Sequence, residues 1–156
     1  MSCTIERVAD AASVHAFEAL LDDYETSLPV RLRHGALDDA ALKKLVIAPN
    51  NAFLALQGSV AIGCIAVFHL DADTAVIQRL YVSPEARGSG AGKQLMRAAI
   101  AYASSRGYAR VVLDTDPRAL PEAYALYRAL GFTECAPFME TGYSDAQYME
   151  LPLTSQ

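Results

Sequence analysis

The sequence predicts an α/β domain built on a mixed sheet, and three observations carry that prediction. The chain has 156 residues, 53% hydrophobic and 20% charged, which is enough apolar material for one packed core. Strand-like alternation and helix-like spacing take turns along it in the order β-α-α-β-β-β-α-β-α-β-β. A glycine-rich segment joins a strand rich in β-branched residues to a long amphipathic helix.

Each element has its own local signal. Thr4 to Val8 alternates apolar and polar residues, as a first strand would. From Asp10 to Tyr24, the residues Val14, Phe17, Leu20 and Leu21 fall at helical spacing, with Asp10 or Ser13 as the cap. Leu28 to Gly35 holds Pro29, two arginines and His34 and reads as a loop; a short helix over Asp38 to Val46 follows, closed by Pro49. Ala52 to Leu56 and Val60 to Leu70 read as strands joined at Gln57-Gly58-Ser59, and Asp71 to Asp73 turns the chain into a strand over Thr74 to Val82. A helix from about Gly90 to Arg106 carries the apolar stripe Leu95, Ala99, Tyr102, Ala103, and Gly107 suits its C-cap. Arg110 to Thr115 is a strand, and Pro121 suits the first turn of a helix running to Leu130, with Gly131 just past its end. Thr133 to Phe138 and Gln147 to Leu153 read as closing strands around a loop at Thr141 to Ser144. No repeat or linker interrupts the series, so the whole of residues 1–156 is expected to be one domain.

Composition excludes several functions. The net charge of −5 argues against a nucleic-acid binder, which needs a basic face. Only residues 51–100 are net positive, with 4 bases against 3 acids, and the glycines cluster there. No apolar run approaches the roughly 18 residues needed to cross a bilayer, so no membrane role is expected. Charge at Glu6 and Arg7 stands where a signal peptide needs its apolar stretch. Cys3, Cys64 and Cys135 are scattered, with no Cys-x-x-Cys spacing, so neither a disulfide framework nor a zinc site is expected. These features together predict a cytoplasmic protein without a metal.

The most informative stretch runs from Arg79 to Leu95 and places Gly88-Ser89-Gly90-Ala91-Gly92-Lys93 between a strand and a helix. Glycines let the backbone bend tightly and approach a ligand. The amides of a helix start, with the positive end of its dipole, favour phosphate, and Arg87 and Lys93 would add full charges. An ATP-binding P-loop fails on two required residues: Arg87 stands where its first glycine belongs, and Gln94 follows the lysine in place of Ser or Thr. The dinucleotide fingerprint G-x-G-x-x-G fails as well, because Lys93 or Leu95 occupies the position of its last glycine.

Arg87-x-x-Gly90-x-Gly92, preceded by Leu80-Tyr81-Val82-Ser83-Pro84, resembles the acetyl-coenzyme A binding motif of the GNAT superfamily of N-acetyltransferases. Ala123 to Phe132 resembles that family's closing helix and its Tyr-x-x-x-Gly-Phe signature, which falls on Tyr127, Gly131 and Phe132. The resemblance spans roughly Ala75 to Phe138. It implies a mostly antiparallel central sheet flanked by helices, with the fourth strand bulged and splayed from the fifth. It also implies that main-chain groups of Leu80, Tyr81 and Val82 hold the pantetheine arm, and that Arg87, Gly88, Ser89, Gly90, Ala91, Gly92 and Lys93 cradle the pyrophosphate. Tyr127 would then protonate the leaving thiolate, a task suited to a phenol whose ordinary pKa lies near 10.

The reaction implied is direct attack of an amine on the thioester of acetyl-CoA, through a tetrahedral intermediate and without an acyl-enzyme. Two positions depart from the family pattern. Ala75 to Gln78 offers no carboxylate where many relatives carry a glutamate base, and Leu120 stands where many carry a coenzyme-contacting asparagine. The base is left among His69, Asp71, Asp114, Asp116 and Glu25. The acceptor, a small molecule or a peptide amine, would be bound by the first two helices and the loops at Leu28 to Gly35 and Glu140 to Asp145. Acids there (Asp22, Asp23, Glu25, Glu140, Asp145) would favour a cation. The missing glutamate also supports a rival reading, a coenzyme A-binding module that regulates or scaffolds without catalysis. Many proteins of this type form homodimers, although no strip of this sequence identifies an interface. Plainer readings stand beside the sharp ones: the glycine segment as an ordinary turn, Tyr127 as a core residue, His69 as a strand-end histidine.

Overall fold

The computed structural model describes residues 3–29, 32, 51–139 and 145–153. The predicted helix over Asp38 to Val46, most of the predicted loop over Leu28 to Gly35 and the loop at Thr141 to Ser144 lie outside them.

The described chain runs β1 (Thr4–Arg7), α1 (Ala11–Ser27), β2 (Ala52–Gln57), β3 (Val60–His69), β4 (Thr74–Val82), one turn of 3-10 helix (Pro84–Ala86), α2 (Ala91–Ser105), β5 (Arg110–Thr115), α3 (Pro121–Ala129), β6 (Thr133–Glu134) and β7 (Gln147–Pro152). Helix α1 starts where the sequence places it because both suggested caps act together. The amide of Ser13 donates to the Asp10 carboxylate at 2.8 Å, and the amide of Asp10 donates back to the Ser13 hydroxyl at 3.0 Å. The helix then continues past Tyr24 to Ser27, a turn longer than the apolar spacing indicated. Strand β6 is shorter than predicted: Cys135 still donates to Tyr148 O at 2.8 Å, but Pro137 has no amide to give a ladder.

The strands form one seven-stranded sheet in the order β1-β2-β3-β4-β5-β7-β6. Every neighbouring pair is antiparallel except β4 and β5, which run parallel. Successive side chains point to opposite faces, so the apolar strands divide into two cores. On one face, Phe17, Leu20 and Leu21 of α1 pack with Val8, Leu54, Cys64, Ala66 and Tyr81. On the other, Leu95, Met96 and Ala99 of α2 pack with Tyr127, Phe132, Ile65, Ile77, Val111, Leu113 and Met149. Each buried Leu, Ile, Val, Phe or Met among them contributes roughly 1.5–3 kcal/mol of transfer free energy.

Two departures from regular pairing shape the centre of the sheet. Cys64 pairs with Tyr81 and Ala66 with Gln78, so Ile65 alone stands opposite Arg79 and Leu80; this is a bulge in β4. Arg79, within the bulge, takes φ 63°, a left-handed conformation that a residue with a side chain seldom adopts. The parallel pairing of β4 with β5 covers only Thr74 to Val76 against Arg110 to Val112. Beyond Val76 the two strands part while β5 remains paired to β7 along its whole length. The fold is therefore the mixed, mostly antiparallel sheet with a bulged fourth strand and a splayed fourth and fifth pair that the motifs imply.

Candidate active site

The glycine segment is built by three local devices. Ser83 ends β4 by donating its amide to Ile62 O at 2.8 Å, and Pro84–Ala86 turns the chain. Gly88 and Gly90 then take φ 84° and 88°, which bends the backbone sharply into α2 with Gly90 as its N-cap. A Cβ built on either glycine meets nothing within 4 Å, so these positions need glycine for their conformation and leave open space beside the backbone. The helix starts with Gln94 N donating to Gly90 O at 3.1 Å, and the amides of Ala91, Gly92 and Lys93 have no carbonyl one turn back. The Ser89 hydroxyl accepts from Ala91 N at 3.4 Å. Arg87 also donates from Nε to Val82 O at 3.2 Å, tying the glycine turn to the last residue of β4. The sequence presents Arg87 only as a phosphate contact; in the fold it is a brace as well.

These residues border a cavity of about 850 Å³. Leu80, Tyr81, Val82, Arg87, Gly88, Gly90, Ala91, Gly92 and Lys93 all line it; Ser89 does not. Tyr24, Ser27 and Leu28 close one side from the end of α1, and Ala119 to Ala123 with Leu126 close the other. Leu120 presents an apolar wall at the place of the missing asparagine. A volume of this size suits a cofactor-sized ligand. Open glycine backbone, first-turn amides and two basic side chains suit its phosphates. The residues present therefore fit an acyl-coenzyme A.

Tyr127 lies deeper. It sits one turn beyond Ala123, buried, with its ring 6.0 Å from that of Phe132, and it is not among the residues lining the cavity. Burial pushes its phenol far above the ordinary tyrosine value, and the charges of Tyr24 and Asp114 act in the same direction. Tyr24, by contrast, does line the cavity, with its ring 5.6 Å from that of Tyr81. Burial raises its phenol to about 12, while the Arg79 cation opposes that rise. Sequence reading used Tyr24 only to mark a helix end. Its spacing from Phe17, Leu20 and Leu21 continues the buried stripe of α1, which is the signal that could have found it.

The carboxylates and histidine considered as bases separate by position. His69 is at the far end of β3, its Nδ1 paired with the Tyr108 hydroxyl at 2.7 Å. Asp71 accepts from Asp73 N at 2.9 Å and shapes the turn before β4. Asp116 accepts from Arg118 N at 3.0 Å and Ala119 N at 3.1 Å, shaping the approach to α3. Glu25, near the end of α1, and Asp114, on β5, both act electrostatically on Arg79 and Tyr24. Burial disfavours the Arg79 cation, and the charges of Tyr24, Glu25 and Asp114 offset that. Among the described residues no group of three His, Cys, Asp or Glu side chains is placed to hold a metal, and no helix is long and apolar enough to cross a membrane.

Comparison with known proteins supplies an independent finding. The sequence model of the Acetyltransferase (GNAT) family matches residues 17–132. An uncharacterized N-acetyltransferase of Schizosaccharomyces pombe is 36% identical over 95 residues, a match covering 60% of this chain and 58% of that protein. The chain thus spans less than two thirds of that relative. Among solved structures, a phosphinothricin acetyltransferase from Sinorhizobium meliloti in complex with acetyl-CoA superposes with a TM-score of 0.76 at 22% identity, covering 98% of this chain and 89% of that one. The ribosomal-protein-S18-alanine N-acetyltransferase from Escherichia coli superposes with a TM-score of 0.70 at 20% identity, covering 99% and 96%. At these identities the two structures establish a shared fold.

Proposed function

This chain belongs to the acetyltransferase (GNAT) family of acyltransferases, and on that premise we propose that it moves an acetyl group from acetyl-CoA to a primary amine, both bound at once. The observation that carries the reading is the cavity itself. Its walls include Leu80 to Val82 at the end of the bulged β4, and Arg87, Gly88 and Gly90 to Lys93 of the glycine turn.

In this reading the first-turn amides of α2, with Arg87 and Lys93, hold the pyrophosphate of the acyl donor. The β4 main chain at Leu80 to Val82 aligns the pantetheine arm. The amine approaches from the side of Tyr24 and Glu25 and attacks the thioester carbonyl as the neutral base; the thiolate leaves with a proton from Tyr127, and the surplus N–H proton passes to a carboxylate or to water, from which the phenol is restored. A phenol held above its ordinary pKa stays protonated at neutral pH, as that role requires. The mixed charges around the splay would receive a cationic acceptor, with polyamines, amino acids, amine-bearing antibiotics and peptide N-termini as the classes to test.

Thermal unfolding with acetyl-CoA, with ATP and NAD as controls, is the first test. A ligand at about 100 times its dissociation constant adds roughly 2.7 kcal/mol, a rise of roughly 5–10 °C for a domain of this size. Acyl transfer to the amine panel, with Tyr127→Phe alongside, is the second. Stabilisation by acetyl-CoA, turnover with at least one amine and a Tyr127→Phe loss of about tenfold or more would support the reading. No stabilisation at millimolar acetyl-CoA would sink it. Stabilisation with no turnover on any amine would favour the non-catalytic binding module.

A further inference from the structure

We propose that Arg79 is the acceptor-binding residue of this site and that the acceptor is an amino acid, whose carboxylate the guanidinium holds while its amine meets the thioester. The inference rests on the acyl-transfer reading above and narrows the amine panel to one class.

Position is the first argument. In that reading the acyl donor runs from the glycine turn back along β4, past Val82 and Tyr81 to Leu80. Its acyl end then arrives at the bulge, where Arg79 is the next residue. Arg79 is not among the residues lining the cavity, so it does not belong to the donor's wall. The register fixes the face it serves. Gln78 pairs with Ala66, a member of the core under α1, and paired residues share a face. Arg79 Nη1 donates to Gln78 Oε1 at 3.4 Å. The guanidinium therefore stands on the α1 side of β4, the side from which the amine approaches. Its backbone, at φ 63°, is in a conformation that side-chain-bearing residues adopt chiefly where a ligand site requires it.

Charge is the second argument. Arg79 is half-buried, and the one hydrogen bond its side chain makes among the described residues is the long one to neutral Gln78. Among the described residues no carboxylate oxygen lies within 4.0 Å of its guanidinium; Glu25 and Asp114 act on it from beyond that range. Arg110, half-buried as well, is by contrast paired with Glu150 at 3.1 Å. Burial disfavours the Arg79 cation, and an anion arriving beside it relieves that cost. The planar guanidinium offers a carboxylate two parallel N–H donors, which fixes direction as well as distance. An amine that carries its own carboxylate is thus held at one end and presented at the other. A polyamine would bring only like charge to this cation. An amino acid supplies the anion and, as a zwitterion, keeps the ammonium group that the acids of α1 favour.

The test uses the full chain with acetyl-CoA. Free amino acids are compared with the matching amino acid amides, which keep the amine and lose the carboxylate. The wild type is expected to favour the free acid by about 30-fold or more in kcat/KM for at least one side chain. Arg79→Gln should lose that preference through the KM of the free acid, with turnover of the amide and acetyl-CoA affinity within about twofold of the wild type. Arg79→Lys should recover part of the preference. Calorimetric titration of the free acid onto the coenzyme A-bound protein should show the same loss. Equal use of acid and amide by the wild type across the amino acids, or a folded Arg79→Gln that keeps the preference, would overturn the proposal and leave the acyl-transfer reading intact. So would turnover confined to polyamines or peptide N-termini. Should Arg79→Gln not fold, the wild-type comparison and Arg79→Lys decide. A protein that acylates no amine of the panel would instead overturn the reading on which the proposal rests.

Discussion

Arg87 reaches back from the glycine turn to Val82, its Nε donating to the Val82 carbonyl at 3.2 Å. One side chain thereby joins the two halves of the cavity, the strand expected to align the pantetheine arm and the turn expected to hold the pyrophosphate.

Removing that link should weaken ligand binding more than folding, because Arg87 is an exposed residue. Arg87→Gln is expected to raise the dissociation constant of acetyl-CoA about tenfold, the size of one lost charge-assisted contact. The unfolding midpoint without ligand should move by no more than about 2 °C. Calorimetric titration at low and high salt checks this: the wild-type advantage should shrink with salt, and Arg87→Lys should regain only part of it because its ammonium lacks the planar fork.

Gly63 and Gly90 should respond oppositely to asparagine. At Gly90, φ is 88° and nothing lies within 4 Å of an added Cβ, so Gly90→Ala costs about 1–2 kcal/mol in strain and Gly90→Asn costs less. At Gly63 an added Cβ would sit 2.8 Å from Tyr81 O and 3.0 Å from Leu95 Cδ1. Gly63→Ala should cost about 1–3 kcal/mol through overpacking, and Gly63→Asn more. Thermal unfolding ranks the four variants. An asparagine milder than alanine at Gly63 would contradict the clash.

Alkaline stability should depend on two buried phenols. Tyr24 is raised from 10.0 to about 12 and Tyr127 is raised further, in both cases chiefly by burial. The unfolded chain ionises first, so their contribution is whole below pH 10 and is lost as pH rises from 10 toward 12. Unfolding midpoints between pH 8 and about 11.5 should fall less steeply for Tyr24→Phe and Tyr127→Phe than for the wild type.

Acid stability has local owners too. Asp10 is lowered from 3.8 mainly by the amide of Ser13, and Asp71 from 3.8 mainly by the amide of Asp73. Depressed carboxylates stabilise the fold above their unfolded pKa, and that contribution is lost as pH drops below 3.8. Asp10→Asn and Asp71→Asn should therefore lower the unfolding midpoint at pH 7 and lose that deficit as the pH falls toward about 3, so that their acid decline is flatter than the wild type's.

Much of this protein was legible residue by residue. The Asp10 and Ser13 caps, the turn at Gly58, the strand over Thr74 to Val82 and the glycine turn into α2 all emerged where expected, because each depends on neighbours within a few positions. The motif around Arg87, Gly90 and Gly92 located the cavity for the same reason: a helix start with glycine bends is a local object. Other features were not legible. Nothing near Arg79 in the sequence says that it must adopt a positive φ, since the bulge is a mismatch with β3. Strand β7 entering between β5 and β6, with Val111 opposite Leu151, is equally a matter of pairing across the chain.

By itself the sequence determined the elements, their caps and turns, the two motifs that imply a coenzyme A site, and the menu of five possible bases. Those follow from backbone freedom, hydrogen-bond reach and apolar period, all of which act over a few residues. Only the tertiary structure decided that Tyr24 lines the cavity while Tyr127 is buried and does not, and that His69 pairs with Tyr108, Asp71 with the amide of Asp73 and Asp116 with those of Arg118 and Ala119. Such placements depend on how distant strands register and where a helix crosses a sheet, and burial then sets which of the gathered groups can hold or release a proton.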